Sequence, residues 1–247
     1  MAKKIFIGII SCFIALGLWV KVGDNQKAVE KTTQTDQIKE PVQSTAKSDE
    51  TYPGNTTDWD LILVNKDNKI EKEPTNLKEL PNGEKIDSRI FGTFNAMVNA
   101  ADKKGFKIVT ISGYRSVAEQ RAIVERDIAS YKAQGFSDEE AKKKAMEYLT
   151  EPGLSEHHTG LAIDILDQDW YNKGNMLEGE FGDTDAGKWI EENACQYGFI
   201  VRYEKGKESI TGINYEPWHI RYVGKANALY MKKHNLSLEE YVEMIKK

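Results

Sequence analysis

The organisation of this chain is indicated most directly by ten residues, Ser155-Glu156-His157-His158-Thr159-Gly160-Leu161-Ala162-Ile163-Asp164. Gly160 permits a sharp turn, because a residue without a Cβ atom adopts positive φ at little cost. The apolar residues that follow predict a buried strand over residues 161–165. A strand that leaves such a turn brings Asp164 back beside His157, so we expect an imidazole and a carboxylate to lie together.

A second segment, Glu216-Pro217-Trp218-His219, holds another imidazole close to a carboxylate. We expect His157, Asp164 and His219 to be metal ligands, because two imidazoles and one carboxylate leave one position open in the coordination of a catalytic zinc ion. Zinc in such a site lowers the pKa of water toward about 7 and polarises a carbonyl group. Glu216 is then expected to be the general base, which moves a proton from water to the leaving amine.

The composition of the 247-residue chain excludes several classes of protein. It has 34 Lys and Arg against 39 Asp and Glu, a formal net charge of −5, so we expect no nucleic-acid partner. Hydrophobic residues make up 40% of the chain, which is enough for a core and excludes wholesale disorder. With only Cys12 and Cys195, the chain is neither a disulfide-rich scaffold nor a zinc module built on three or four cysteines.

The N-terminal region differs in composition from the rest of the chain. Two lysines precede an apolar run, which is the pattern of a secretory signal, but no clear cleavage site follows it. The polar stretch after this run has no periodic apolar face. We predict a signal peptide or membrane anchor at residues 1–20, a disordered, flexible linker at residues 21–55 and a globular domain at residues 56–247. The domain is therefore expected outside the cytoplasm, membrane-anchored or secreted.

The globular part mixes helices and strands without strict alternation. Apolar patterns predict strands at residues 59–64, 107–111, 161–165, 199–203 and 218–223. Caps and periodicity predict helices from residue 87 or 88 to residue 104, at residues 117–134, 137–149 and 184–197, and at the C-terminus. Capping boxes are expected at Ser137 with Glu140 and at Ser237 with Glu240. We predict an α+β fold in which helices flank a small antiparallel sheet.

The spaced motifs resemble those of a known family. Ser-x-His-x-x-Gly-x-Ala-x-Asp, followed downstream by Glu-x-Trp-His, is similar to the zinc D-alanyl-D-alanine carboxypeptidases of the VanY type. These include the related L,D-carboxypeptidases that trim bacterial cell-wall peptides. The segment Ser112-Gly113-Tyr114-Arg115-Ser116, with Gln120, and the stretch over residues 198–203 also resemble that family. The resemblance covers most of the globular part.

The resemblance implies a role for each matching residue. His157, Asp164 and His219 match the family's zinc ligands, so Zn²⁺ is the expected cofactor. Glu216 matches the general base. Arg115 matches the arginine that stabilises the developing oxyanion or holds the substrate, and a fixed guanidinium aimed at negative charge lowers the barrier.

Contacts with the substrate are implied by the resemblance alone. Gln120 and Ser155 resemble residues near the substrate peptide, although Gln120 also fits a solvated position on a helix. Tyr203 is expected to line the same cleft or to belong to the core. Trp218 is expected to pack beneath the site.

Three further residues have simpler expected roles. His158 is expected to be a hydrogen-bonded surface residue or, alternatively, to orient a metal ligand. His234 follows two lysines and is expected on a solvated face or at a helix end. Cys195 is expected to be a buried free thiol.

The resemblance and the export pattern together predict a zinc carboxypeptidase that removes terminal D-alanine from peptidoglycan stem peptides at the bacterial cell envelope. Whether it acts on D-Ala–D-Ala or on an L-centre–D-Ala bond stays open, and a peptidoglycan endopeptidase is a further alternative. A non-catalytic zinc-bearing module that binds the cell wall is the alternative outside enzymes, but the presence of Glu216 favours catalysis. The expected partners are stem peptides and, through the N-terminal segment, the membrane, and the protein is expected to be a monomer.

Overall fold

A computed structural model describes residues 51–246. Its strands are β1 (Leu77–Glu79), β2 (Lys85–Asp87), β3 (Ile108–Ser112), β4 (Ala162–Asp167), β5 (Phe199–Tyr203) and β6 (Glu216–Tyr222). Its α-helices are α1 (Phe91–Asp102), α2 (Val117–Ala133), α3 (Asp138–Ala145), α4 (Gln168–Asn172), α5 (Asp185–Asn193), α6 (Glu208–Thr211), α7 (Lys225–His234) and α8 (Leu238–Ile245). Short 3₁₀ helices lie at Glu156–Thr159, Gly179–Asp183 and Ala194–Tyr197.

The main sheet is antiparallel, with the strand order β3-β4-β6-β5, and β1 pairs with β2 in a separate hairpin. Ile163 and Ile220 of the sheet lie in one buried cluster with Phe94 of α1 and Ile190 of α5. Burying an aliphatic or aromatic side chain of this size contributes about 1.5–3 kcal/mol. The predicted α+β fold, a small antiparallel sheet flanked by helices, is confirmed for the described residues.

Local sequence signals fixed several element ends. The capping boxes of Ser137 with Glu140 and of Ser237 with Glu240 are both present, and they begin α3 and α8. The helical segment that α5 opens ends at Gly198, whose φ of +85° favours glycine. The strand that follows it, β5, has the predicted bounds. A helix cap and a chain reversal each depend on residues that are close together in sequence. A short stretch of sequence is therefore enough to predict them.

The strand predicted at residues 59–64 is wrong, since these residues form no strand. Leu61 and Val64 are buried as their apolar character indicates. The carbonyl groups of Asp60 and Ile62, however, accept hydrogen bonds from Nη2 of the buried Arg221, at 3.1 and 2.7 Å. The backbone is therefore satisfied by a distant side chain and not by a neighbouring strand.

Helix α1 begins later than the predicted cap at Asp87 or Ser88, at Phe91. Asp87 is instead the last residue of β2, and its carboxylate accepts two hydrogen bonds from the Arg89 side chain, at 2.9 and 2.6 Å. The short hairpin of β1 and β2 was not predicted. Helix α3 also ends earlier than predicted, at Ala145.

The N-terminal predictions concern residues mostly outside the described part of the chain. The predicted signal or anchor at residues 1–20 and nearly all of the predicted linker lie outside the described residues. In residues 51–246 no helix combines the length and the apolar character needed to span a membrane. The first described residues contact the C-terminal helices: Tyr52 packs edge-to-face on Tyr230, and the Gly54 N–H donates to the Tyr241 hydroxyl at 3.1 Å.

Candidate metal centre

Strand pairing places two of the predicted ligands side by side. Asp164 on β4 lies directly opposite His219 on β6. Paired residues in an antiparallel sheet project from the same face, so their side chains are neighbours. Asp164 Oδ1 lies 2.9 Å from His219 Nδ1.

His157 reaches the same place from the 3₁₀ helix that precedes β4. This helix ends at Gly160, whose φ of +68° lets the chain turn into the strand. The Gly113 carbonyl can only accept a hydrogen bond, so Nδ1–H of His157 donates to it at 2.7 Å. The other ring nitrogen, Nε2, then faces Asp164 Oδ2 at 3.2 Å. Burial lowers the pKa of His157, which favours the neutral imidazole that a metal requires.

The three side chains form a compact cluster of possible ligands. Their ligand atoms lie within 4.8 Å of one another, and all three residues are buried. Asp164 Oδ1 has no hydrogen-bond partner in the described residues, although His219 Nδ1 is only 2.9 Å away. An unpaired buried oxygen is costly unless a further group, such as a cation, binds it. Two imidazole nitrogens and a carboxylate oxygen are a typical donor set for zinc, so the residues present fit this ion.

Glu216 lies at the start of β6, with an oxygen 3.7 Å from His219 Nδ1. In a regular strand, a residue three positions from His219 would point to the opposite face. The β5–β6 pairing, however, shifts register between Val201 and Tyr203, and this irregularity breaks the alternation. Burial raises the pKa of Glu216 to about 8, and the nearby Asp164 carboxylate also raises it.

Arg115 follows β3 and is held beside the cluster from several directions. Its Nη1 donates to Gln120 Oε1 at 2.6 Å, and its Nη2 donates to Ser112 Oγ at 3.0 Å. Its backbone N–H donates to the His157 carbonyl at 3.2 Å. Burial lowers the pKa of Arg115, and the carboxylates of Asp164 and other acids act against this shift. An arginine side chain stays protonated in proteins, so Arg115 places a positive charge near the possible ligands.

The three side chains predicted to contact the substrate peptide are all buried. Gln120 is buried, so it does not have the solvated position considered above, and it bridges Arg115 and the Thr150 carbonyl. Tyr203 is also buried, with its ring centroid 4.9 Å from that of His219. Ser155 is buried at the start of the 3₁₀ helix. Their roles in substrate binding stay predictions.

Trp218, by contrast, packs in the main core cluster, which agrees with the predicted packing role. Cys195 is buried and free, as predicted. His234 is exposed at the end of α7, also as predicted, and its ring stacks on Tyr230.

The prediction of a surface position for His158 is wrong, because this residue is fully buried. Its Nδ1–H donates to the Arg115 carbonyl at 2.6 Å, and its Nε2 accepts from the Gly153 N–H at 3.0 Å. His158 therefore joins two loops and fixes the backbone that carries Arg115. A single sequence offers little signal for this, since the contact partners are carbonyl and amide groups of any residue type.

Sequence reasoning also missed Glu156, a buried acid inside the quoted motif. Its carboxylate forms ion pairs with Arg202 and Arg221, whose side chains are buried as well. The available signal was one acid next to a predicted ligand, together with two arginines in strands that otherwise look apolar.

The electrostatics of the metal-free site predict a loss of stability as the pH rises from 7 to 9. Burial lowers the pKa of His219, but contacts with the Asp164 and Glu156 carboxylates raise it by more. The net result is a pKa of about 9, compared with an ordinary 6.5. Glu216 is raised to about 8 from 4.5. The native state thus keeps protons that the unfolded chain has released, so we expect the free energy of unfolding to fall by roughly 3 kcal/mol over this range.

Urea unfolding with a chelator at pH 7, 8 and 9 measures this effect. Glu216→Gln removes one of the two groups, so its free energy of unfolding should fall less than that of the wild type. A wild-type protein whose stability is constant or rises from pH 7 to 9 would contradict the prediction.

Three possible ligands, a buried carboxyl group and a nearby guanidinium are the kinds of group that a metallohydrolase site would require. A family model described as VanY, D-alanyl-D-alanine carboxypeptidase, matches residues 83–225. The chain belongs to this family, as its motifs indicated.

Relatives and solved structures are similar over most of the described residues. A D-alanyl-D-alanine carboxypeptidase from Enterococcus faecalis is 38% identical over 190 residues, which cover 76% of this chain and 68% of the relative. The structure of a variant of the vancomycin-resistance D,D-pentapeptidase VanY in complex with Zn(II) is 38% identical, with a TM-score of 0.66 over 75% of this chain and 99% of that one. The LD-carboxypeptidase LdcB is 38% identical, with a TM-score of 0.63 over 75% of this chain and 86% of that one.

Proposed function

We propose that this protein is a zinc-dependent carboxypeptidase that removes terminal D-alanine from peptidoglycan stem peptides. The observation that carries the proposal is the position of Glu216, 3.7 Å from His219 in a buried cluster whose donors fit zinc. A module that only binds zinc has no use for a buried carboxyl group at this place, which costs stability. Membership of the VanY family supports the reaction class.

In this mechanism His157, Asp164 and His219 hold the metal ion. Zinc, when bound, supplies a Lewis acid that polarises a carbonyl group and lowers the pKa of water. Glu216 accepts a proton from the attacking water and returns it to the amine of the departing D-alanine. Both transfers need a pKa near the working pH, and burial moves the pKa of Glu216 in that direction.

Arg115 contributes a fixed positive charge. Its bonds to Gln120 and Ser112 use two of the five guanidinium N–H groups, so others remain for an anion. We assign to these the developing oxyanion or the terminal carboxylate of the peptide. Gln120 then acts by holding Arg115, while Tyr203 and Ser155 line the adjoining wall. Donors that are fixed before the reaction stabilise charge without reorganisation.

The proposed substrate also gives a location. The stem peptides of the assembled cell wall lie outside the cytoplasm, and residues 1–20 have the pattern of a signal or anchor. We therefore propose an anchored or secreted, monomeric protein at the cell envelope. Because Tyr52 and Gly54 contact the C-terminal helices, we place the end of the linker just before Tyr52 and begin the catalytic domain there.

Digestion of defined muropeptides tests the proposal. Purified full-length, zinc-loaded protein is incubated with pentapeptide and tetrapeptide substrates, and the products are identified by mass spectrometry. We expect the loss of one alanine from at least one of them: from the pentapeptide for D,D activity, from the tetrapeptide for L,D activity. Both activities are represented among the similar structures.

The other outcomes contradict the proposal in distinct ways. Cleavage inside the stem peptide identifies an endopeptidase. Zinc binding without cleavage of any muropeptide identifies a binding module. A parallel preparation of Glu216→Gln shows whether a contaminating peptidase produces the signal.

A further inference from the structure

Glu156 carries a carboxylate next to the candidate metal centre, on the Nε2 side of His219, and the proposed reaction does not use it. Its side chain is fully buried, and one oxygen, Oε1, accepts hydrogen bonds from Arg202 Nε at 2.8 Å and Arg221 Nη1 at 2.9 Å. Two buried guanidinium groups therefore donate to this carboxylate, and they compensate the negative charge that it places beside the candidate ligands.

The second oxygen of Glu156 faces His219. Oε2 lies 3.6 Å from His219 Nε2, and within residues 51–246 neither atom has a hydrogen-bond partner. Two unpaired polar atoms that are buried and face each other are costly, and an approach of a few tenths of an ångström gives a hydrogen bond. Oε2 can only accept, so the proton of this bond must be on Nε2.

The two nitrogens of His219 thus have different surroundings. Nδ1 lies on the ligand side, 2.9 Å from Asp164 and 3.7 Å from Glu216. Nε2 lies on the side of Glu156. A neutral imidazole carries its proton on one nitrogen only, and the nitrogen that binds a metal must be the other one.

We propose that Glu156 is a positioning residue: it accepts the Nε2–H of His219 and so presents the Nδ1 lone pair to the metal. This inference rests on the zinc site of the proposed function. The fixed position of Glu156 supports it, because Arg221, which donates to Glu156, is itself anchored. Arg221 also donates to the backbone carbonyls of residues 60 and 62.

Glu156→Gln is the informative substitution, because it keeps the shape and changes the donor pattern. The arginines only donate, so the glutamine oxygen should turn toward them and its NH₂ group toward His219. That group donates to Nε2, which moves the imidazole proton to Nδ1, where it competes with the metal. We expect the zinc dissociation constant, measured by competition with a chromophoric chelator, to rise about 10- to 100-fold.

Glu239→Gln is the matched control. Glu239 pairs with the other nitrogens of Arg202, Nη1 and Nη2, so this variant disturbs the same arginine without changing the partner of His219. We expect it to bind zinc as the wild type does. Equal loss in both variants, or wild-type affinity in Glu156→Gln, would overturn the positioning role.

A spectroscopic readout separates positioning from a general effect on folding. In zinc-loaded wild type with ¹⁵N-labelled histidine, NMR should show His219 protonated at Nε2, with this proton shifted downfield by its carboxylate partner. The downfield shift should be lost in Glu156→Gln. If that variant does not fold, the wild-type spectrum still decides, since protonation at Nδ1 would refute the inference. A wild type that binds no zinc would instead refute the proposed function.

Discussion

Glu216→Gln is expected to slow release of D-alanine by about 10²–10⁴-fold, the range usually lost with a general acid–base group. Glutamine has nearly the same volume and keeps the buried position, but it cannot take a proton from water or return one to the leaving amine. Zinc affinity should be retained, because the three proposed ligands are untouched. Rates of alanine release under saturating zinc, with a zinc titration of the same sample, measure both quantities.

Glu204→Gln is a suitable control for this substitution. Glu204 is a partly buried acid just after β5, and burial raises its pKa too, but it lines a small cavity beside Cys195 and Met231. Its replacement should leave alanine release unchanged. Full activity in Glu216→Gln would remove the proposed base from the mechanism.

Removal of the metal is expected to have an effect at least as large. The Lewis acid supplies several kcal/mol of transition-state stabilisation, and each 1.36 kcal/mol is a factor of ten, so activity should fall by about three orders of magnitude or more. Chelation should produce this loss in the wild type, and added zinc should reverse it. His157→Ala should produce the same loss without reversal, because it lacks a ligand.

The exposed His234 provides the control, since His234→Ala changes a histidine remote from the ligands in sequence and should retain zinc binding and activity. Thermal unfolding gives an independent readout. Zinc should raise the midpoint of the wild type and of His234→Ala but not that of His157→Ala, because only a ligand that binds the native state stabilises it. Activity that persists after complete removal of the metal would refute the zinc mechanism.

The parts of the fold that sequence predicted well are those fixed by near neighbours. The capping boxes at Ser137 and Ser237 and the chain reversal at Gly198 each depend on a few consecutive residues. The strand predicted at residues 59–64 was wrong for the opposite reason. Its apolar pattern matched a strand, but the Arg221 guanidinium from β6 accounts for two of its carbonyl groups, those of residues 60 and 62. No local pattern contains that partner.

The same difference between local and distant contacts decides which parts of the candidate site could be predicted. The turn at Gly160 made the approach of His157 and Asp164 predictable from ten residues. The approach of His219 depends on the β4–β6 register, which no local pattern contains. The sequence indicated His219 only through the ligand count of a zinc site and the resemblance to a family. The roles of Glu156 and His158 were not predicted. They depend on which atoms of neighbouring residues are available for a hydrogen bond, and residue type alone does not give that information.

The contacts of Tyr52 and Gly54 with the C-terminal helices bear on how the domain should be cut for work in solution. Gly54 is closely packed, since a Cβ there would lie 2.5 Å from Leu61 Cδ1 and 2.6 Å from Asn227 Oδ1. Tyr241, which accepts the hydrogen bond from Gly54, in turn donates to Asn227 at 2.6 Å. A truncation after Gly54 removes these contacts with the C-terminal helices, so a recombinant fragment should begin before Tyr52 and include α8.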